Sequence, residues 1–241
     1  MSEAAGFRLE RLRGLRASLV PHDWAWAADN ADAIADNWER RRAARPSLFD
    51  GRVLLASAWR IAEGICEVAF FETGFARFLA HRDAGFPDRS VANAFAAIVP
   101  CGADGAAILG RMGIHTANAG QVYFPCGTPD PSDIRGEAEV DLAGSAAREF
   151  REETGVELPA EAPEAWLLLE GGGQLAFLRP VRFPEDAASL ATRMEAYRRT
   201  EASPELDSFV IARGAEDLGS ERMPGFIEAY FRLAHAADAV D

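Results

Sequence analysis

The chain has 241 residues, 49% of them hydrophobic and 26% charged, enough to bury a substantial core rather than remain disordered. Its 38 acidic against 25 basic residues give a net charge of −13, which repels a nucleic-acid backbone and an anionic membrane surface. That charge leaves a small phosphorylated substrate open, because metal ions can invert the field inside a single pocket.

The polar start MSEAAGFRLERLRG lacks the apolar stretch of a signal peptide, and no apolar run reaches membrane-spanning length. Cys66, Cys101 and Cys126 are too few for a disulfide framework. Neither they nor the dispersed histidines 22, 81, 115 and 235 have metal-ligand spacing. A reduced, cytoplasmic protein is expected.

In chain order, LERLRGLRASL is apolar at roughly helical spacing, weakened by Gly14, and ADNADAIADNWERRRAARP reads as a helix closed by Pro46. Trp24, Trp26 and Trp38 are too many large aromatics for a solvated segment, so this region packs on something. Residues 50–72 read as strands opening at Asp50-Gly51, and GFARFLAHRDAG as a short helix. NAFAAIVPCGADGAAILGRMG reads as two strands about residues 102–105, and QVYFPCGT as a further strand running into the turn-rich PDPSDIRGE. AWLLLEGGGQLAFLRPVRF gives two strands about glycines 171–173. Residues 186–199 read as a helix, 206–213 as a strand and MPGFIEAYFRLAHAAD as a last helix. Strands interrupted by a few helices predict an α+β fold, a mixed sheet packed by helices. The expected division is an N-terminal extension, residues 1–91, with helices and a small β unit, followed by a main domain, residues 92–241.

The informative segment is DLAGSAAREFREETGVEL. Asp141 is placed as an N-cap and Gly155 as the terminator, so a helix is predicted over about 142–154. Ala146, Ala147 and Phe150 form its apolar face. On the other face Glu149, Glu152 and Glu153 stand three and four positions apart, close enough to converge and repel. Acids toward a helix C-terminus are also disfavoured by the dipole. A hard cation such as Mg²⁺ or Mn²⁺, which prefers oxygen ligands, would offset both effects. Arg148 could orient a carboxylate from behind. An ordinary solvated acidic helix with intrahelical ion pairs is the competing reading.

REFREETGV resembles the second half of the Nudix hydrolase motif. That motif reads Gly, five residues, Glu, seven residues, then Arg-Glu-apolar-x-Glu-Glu-x-Gly-apolar. Arg148, Glu149, Phe150, Glu152, Glu153, Gly155 and Val156 match every fixed position of that half. The first half departs, since Val140 and Ile134 stand where the motif has its glutamate and glycine. Glu139 and Asp141 are one residue off, and PDPSDIRGE resembles an insertion between Gly127 and the helix. FPCGTPD is similar to the strand-to-glycine-loop entrance of the family, with Gly127 permitting close backbone approach to a diphosphate.

The resemblance covers roughly residues 92–213 and implies a Nudix-type α/β/α sandwich. It implies metal-dependent hydrolysis of a diphosphate linkage in a nucleoside diphosphate derivative, ADP-ribose-like or a nucleotide sugar. Glu149, Glu152 and Glu153 would hold Mg²⁺ or Mn²⁺, with Arg148 beside them. Glu149 or a later-loop carboxylate, Glu205 or Asp207, would act as general base; for Arg111, contact with substrate and a structural salt bridge are both open. For Glu139, assisting the metal and facing water are both open; for His115, so are substrate contact and an ordinary loop position. Cys126 is expected to pack. The implied partner is a small nucleotide-derived substrate, not nucleic acid or membrane, and the apolar N-terminal strands point to a homodimer. The alternative function is a catalytically weak, nucleotide-binding protein of the same fold.

Overall fold

The computed structural model describes residues 2–4, 6–116 and 118–238. In chain order the strands and helices are β1 (Ser2–Ala4), β2 (Phe7–Leu12), β3 (Gly14–Leu19), α1 (Ala25–Asp29), α2 (Ala31–Ala44), β4 (Arg52–Ala62), β5 (Ile65–Gly74) and α3 (Phe75–Asp83). They continue with β6 (Asn93–Cys101), β7 (Ala107–Met112), β8 (Val122–Tyr123), β9 (Ile134–Arg135), β10 (Glu139–Val140) and α4 (Leu142–Thr154). The chain finishes with β11 (Trp166–Gly171), β12 (Gln174–Arg182), α5 (Ala187–Arg198), β13 (Leu206–Ala212) and α6 (Gly225–Asp238).

The strands form two sheets. The larger runs β1-β2-β11-β12-β6-β7-β13, with β8 also on β7; the smaller runs β4-β5-β3-β10-β9. In the larger sheet β6 and β12 are parallel, as Phe95↔Ala176 and Ala97↔Leu178 show. Almost every residue of β6 is buried, as expected for a central strand covered on both faces. Ala94, Ala96 and Ile98 face a core shared with α4, α5 and the smaller sheet. Phe95, Ala97 and Val99 face α6 through Phe226, Tyr230 and Phe231.

The smaller sheet also buries both faces. Leu54, Ala56, Val68 and Phe70 enter the shared core. Val53, Leu55 and Phe71 face α1–α3, where Trp24 and partly buried Trp26 and Trp38 pack. The tryptophans therefore have the packing role that their number requires. The result is a mixed α+β arrangement, with helices α1–α3 and α6 on the outer faces of the two sheets.

The helical spacing of LERLRGLRASL is not realised: the segment forms β2 and β3. Leu9, Leu12, Leu15 and Leu19 mimic a helical period, but cross-strand pairing outweighs that local pattern. β2 pairs with β11 from Phe7↔Gly171 to Leu12↔Trp166, and β3 lies parallel to β5. The predicted strand QVYFPCGT contracts to Val122–Tyr123. The other predicted strands and helices form close to their expected bounds.

β3 also bears on the candidate site. Ser18 is registered with Glu139 of β10, and the Leu19 N–H donates to the Ala138 carbonyl at 2.7 Å. The first 20 residues thus brace the hairpin that feeds α4.

Candidate functional site

α4 begins where the Asp141 side chain accepts a hydrogen bond from the Gly144 N–H at 2.7 Å. It ends at Gly155, whose φ of 67° is the left-handed cap that glycine adopts without a Cβ clash. Buried Ala146 and Phe150 seat it against β6. This seating presents Glu149 and Glu153 toward the loop after β8 and the turn before β13.

Glu153 is 8% exposed, and its Oε2 is buried with no hydrogen-bond partner among the described residues. Burial raises its carboxyl well above the ordinary range, and Glu205, Glu149 and Glu152 add like-charge repulsion. Burial likewise raises Glu149, with Glu152 and Glu205 adding to the rise and Arg148 opposing it. Burial also pushes up the thiol of half-buried Cys126, followed by repulsion from Glu153, Glu149 and Glu205. A low-pKa nucleophile is the opposite case. Cys126 thus has the packing character expected of it.

Arg148 spans the site. Its Nη1 donates to Glu149 at 2.7 Å and to Glu152 at 3.4 Å, while Nη2 donates to Asp133 at 2.8 Å. These carboxylates raise the guanidinium further above its usual value, with Asp133 the largest cause. At Gly127, an added Cβ would lie 3.3 Å from the Glu149 carboxyl carbon. The missing side chain there makes room for Glu149.

The two later carboxylates differ in the groups on which their charges act. Exposed Glu205 bears on Glu149 and Glu153. The charge of Asp207 falls instead on Arg111 and Arg198. Arg111 is held by both oxygens of Glu221, at 2.6 and 2.7 Å, and donates to the Ser208 hydroxyl at 3.3 Å. Glu139 is exposed on β10, and Asp141 serves as the helix cap. Val140 is buried in the core. Asp133 escapes motif reading altogether, because fifteen residues and a hairpin separate it from Arg148. Only its place in the PDPSD turn hints at it.

Among the described residues, no three His, Cys, Asp or Glu side chains are gathered so as to hold a metal ion. The donor chemistry fits a hard divalent cation, being oxygen alone, with one buried carboxylate oxygen unpartnered and its neighbours repelling it. Arg148 holds Glu149 and Glu152 in the positions described. Clefts that lie elsewhere include one of about 610 Å³ between α2 and α3 and one of about 600 Å³ beside β3 and β10. Neither is lined by Glu149, Glu152 or Glu153.

No protein-family model matches this chain, and no curated protein matches it. A solved structure, that of a MutT protein from Methanosarcina mazei Go1, is similar at 16% identity and a TM-score of 0.40. The match covers 61% of this chain and 96% of that one. The likeness is weak. It assigns no role to any residue here. No helix among the described residues is long and apolar enough to cross a membrane.

Proposed function

We propose that this chain hydrolyses a diphosphate linkage in a nucleoside diphosphate derivative, ADP-ribose-like or a nucleotide sugar, with Mg²⁺ or Mn²⁺. The observation that carries this reading is the buried, unpartnered Oε2 of Glu153, set among the charges of Glu149, Glu152 and Glu205. Such an arrangement is costly in isolation and becomes favourable when a cation is shared among the carboxylates. Glu149, Glu152 and Glu153 would hold the ion, which when bound neutralises phosphate charge and acidifies water.

The chain's own groups have distinct parts in this reading. Glu205, exposed and adding its charge to that on Glu149 and Glu153, is the general base. Arg148 orients Glu149 and Glu152. Arg111 meets substrate only by releasing Glu221. Gly127 leaves room for Glu149 and for a diphosphate beside it. The reading includes a Nudix-type α/β/α sandwich over residues 92–241, an extension over residues 1–91, a cytoplasmic location and a homodimer.

A second reading is binding of nucleotide with weak turnover. It is favoured by Val140, which is 3% exposed in the core where the motif has a glutamate.

The deciding experiment is a hydrolysis panel of ADP-ribose, nucleotide sugars and coenzyme A with Mg²⁺ and with Mn²⁺, identifying both products. The expected result is metal-dependent release of two phosphorylated fragments that is lost in Glu152→Gln and Glu153→Gln. Hydrolysis unchanged in both variants would sink the catalytic reading. Nucleotide binding without turnover would establish the second.

A further inference from the structure

We infer that Asp133, outside the motif, is the positioning residue that holds Arg148 and sets the charge offered to a cation at Glu149, Glu152 and Glu153. The inference rests on the proposed function for the cation but not for the Arg148 contact itself.

Asp133 ends a short 3₁₀ helix, Pro131–Asp133, and its side chain is 3% exposed. One carboxylate oxygen accepts from Arg148 Nη2 at 2.8 Å, and the other accepts from the Asp130 N–H at 3.1 Å. Its main-chain carbonyl accepts from the Asp141 N–H at 2.8 Å, joining the turn to the cap of α4. A planar guanidinium anchored on one side by a buried carboxylate has little freedom on the other. Its remaining Nη1 therefore meets Glu149 and Glu152 from a fixed direction.

Charge gives the second half of the inference. Without Asp133, the Arg148 charge would be set wholly against the glutamates that would bind a cation. Asp133 offsets that charge from the side away from Glu149. The turn does not need an acid for this purpose, since asparagine would still offer an oxygen to the Asp130 N–H. The buried carboxylate that reaches Arg148 comes from the turn.

The test is Asp133→Asn, read by Mn²⁺ titration monitored by electron paramagnetic resonance and by the Arg148 Nε–Hε signal in nitrogen-15 NMR. Thermal melting is followed alongside. The inference expects Mn²⁺ binding weakened about five- to tenfold, as for loss of one nearby charge. It also expects an Arg148 signal that is ordered in the parent and averaged in the variant. A lower melting temperature with both readouts unchanged makes Asp133 a structural residue and overturns the inference. A parent protein that binds no Mn²⁺, with Arg148 still loosened in the variant, overturns the proposed function while upholding the Asp133 contact. Should the variant not fold, the parent's Arg148 signal decides: ordered supports the contact, and freely averaging overturns it.

Discussion

A Cβ added to Gly155 would lie 2.2 Å from Cγ of Tyr197, so the left-handed cap of α4 is also the surface on which α5 closes. Gly155 is therefore constrained twice, by its φ of 67° and by the ring beside it. Gly155→Ala should cost about 1–2 kcal/mol from the backbone alone, with the displaced ring adding to that. Adding Tyr197→Ala should recover only the part of the steric cost due to the ring, since Cβ of residue 197 would still lie 2.8 Å away. Urea unfolding of the single and double variants measures this, and an alanine variant as stable as the parent would refute it.

Glu153→Gln removes a buried carboxylate whose ionisation Glu205, Glu149 and Glu152 oppose. In chelator at neutral pH the variant should be more stable than the parent, on the order of 1 kcal/mol. Added Mn²⁺ should then raise the melting temperature of the parent but not of the variant. Equal responses to Mn²⁺ in calorimetry would count against Glu153 as a ligand.

His81 predicts a pH dependence remote from this site. The ring is 1% exposed among Trp24, Trp26 and Phe86, and its Nε2 accepts from the Asp88 N–H at 3.2 Å. Burial lowers its pKa from 6.5, Asp88 pulls it back up, and Arg89 lowers it slightly. The folded state therefore binds fewer protons than the unfolded one below pH 6.5. The stability that neutral His81 contributes is present above that value and is lost as pH falls toward the lowered one, at up to about 1.4 kcal/mol per pH unit. His81→Gln, which keeps an acceptor for Asp88, should flatten the decline in unfolding free energy between pH 7.5 and 5.5. An identical slope would assign the decline to other groups.

Removal of residues 1–20 should abolish cooperative unfolding rather than leave an intact catalytic core. The deletion strips β2 from β11 and β3 from both β5 and β10, exposing strand edges and the core that they cover. Circular dichroism melting and amide-dispersion spectra would show this directly. A sharp melt in the shortened chain would mean that the N-terminal strands are dispensable.

Much of the architecture was legible because local signals and tertiary packing agree. Asp141 and Gly155 bracket α4, the glycines at 171–173 turn β11 into β12, and the apolar run 93–101 becomes a central strand. In the segment 9–19 the local signal and the fold disagree, because its leucines satisfy a helical period while the pairing that makes it two strands lies with residues far along the chain. The same limit applied at the site. Spacing brings Glu149, Glu152 and Glu153 together on one helix, but Asp133 meets Arg148, and Glu205 adds its charge to theirs, only through turns whose course spacing does not encode.

The acid excess and the arrangement of α4 came from sequence alone, since charge is additive and a helix brings positions three and four apart onto one face. Tertiary structure decided what that face means. It buried Oε2 of Glu153 with no hydrogen-bond partner among the described residues, bound Arg148 to Asp133, and set the charge of Glu205 against Glu149 and Glu153. Burial and through-space charge depend on what the fold brings near, and no count of residues along the chain contains that information.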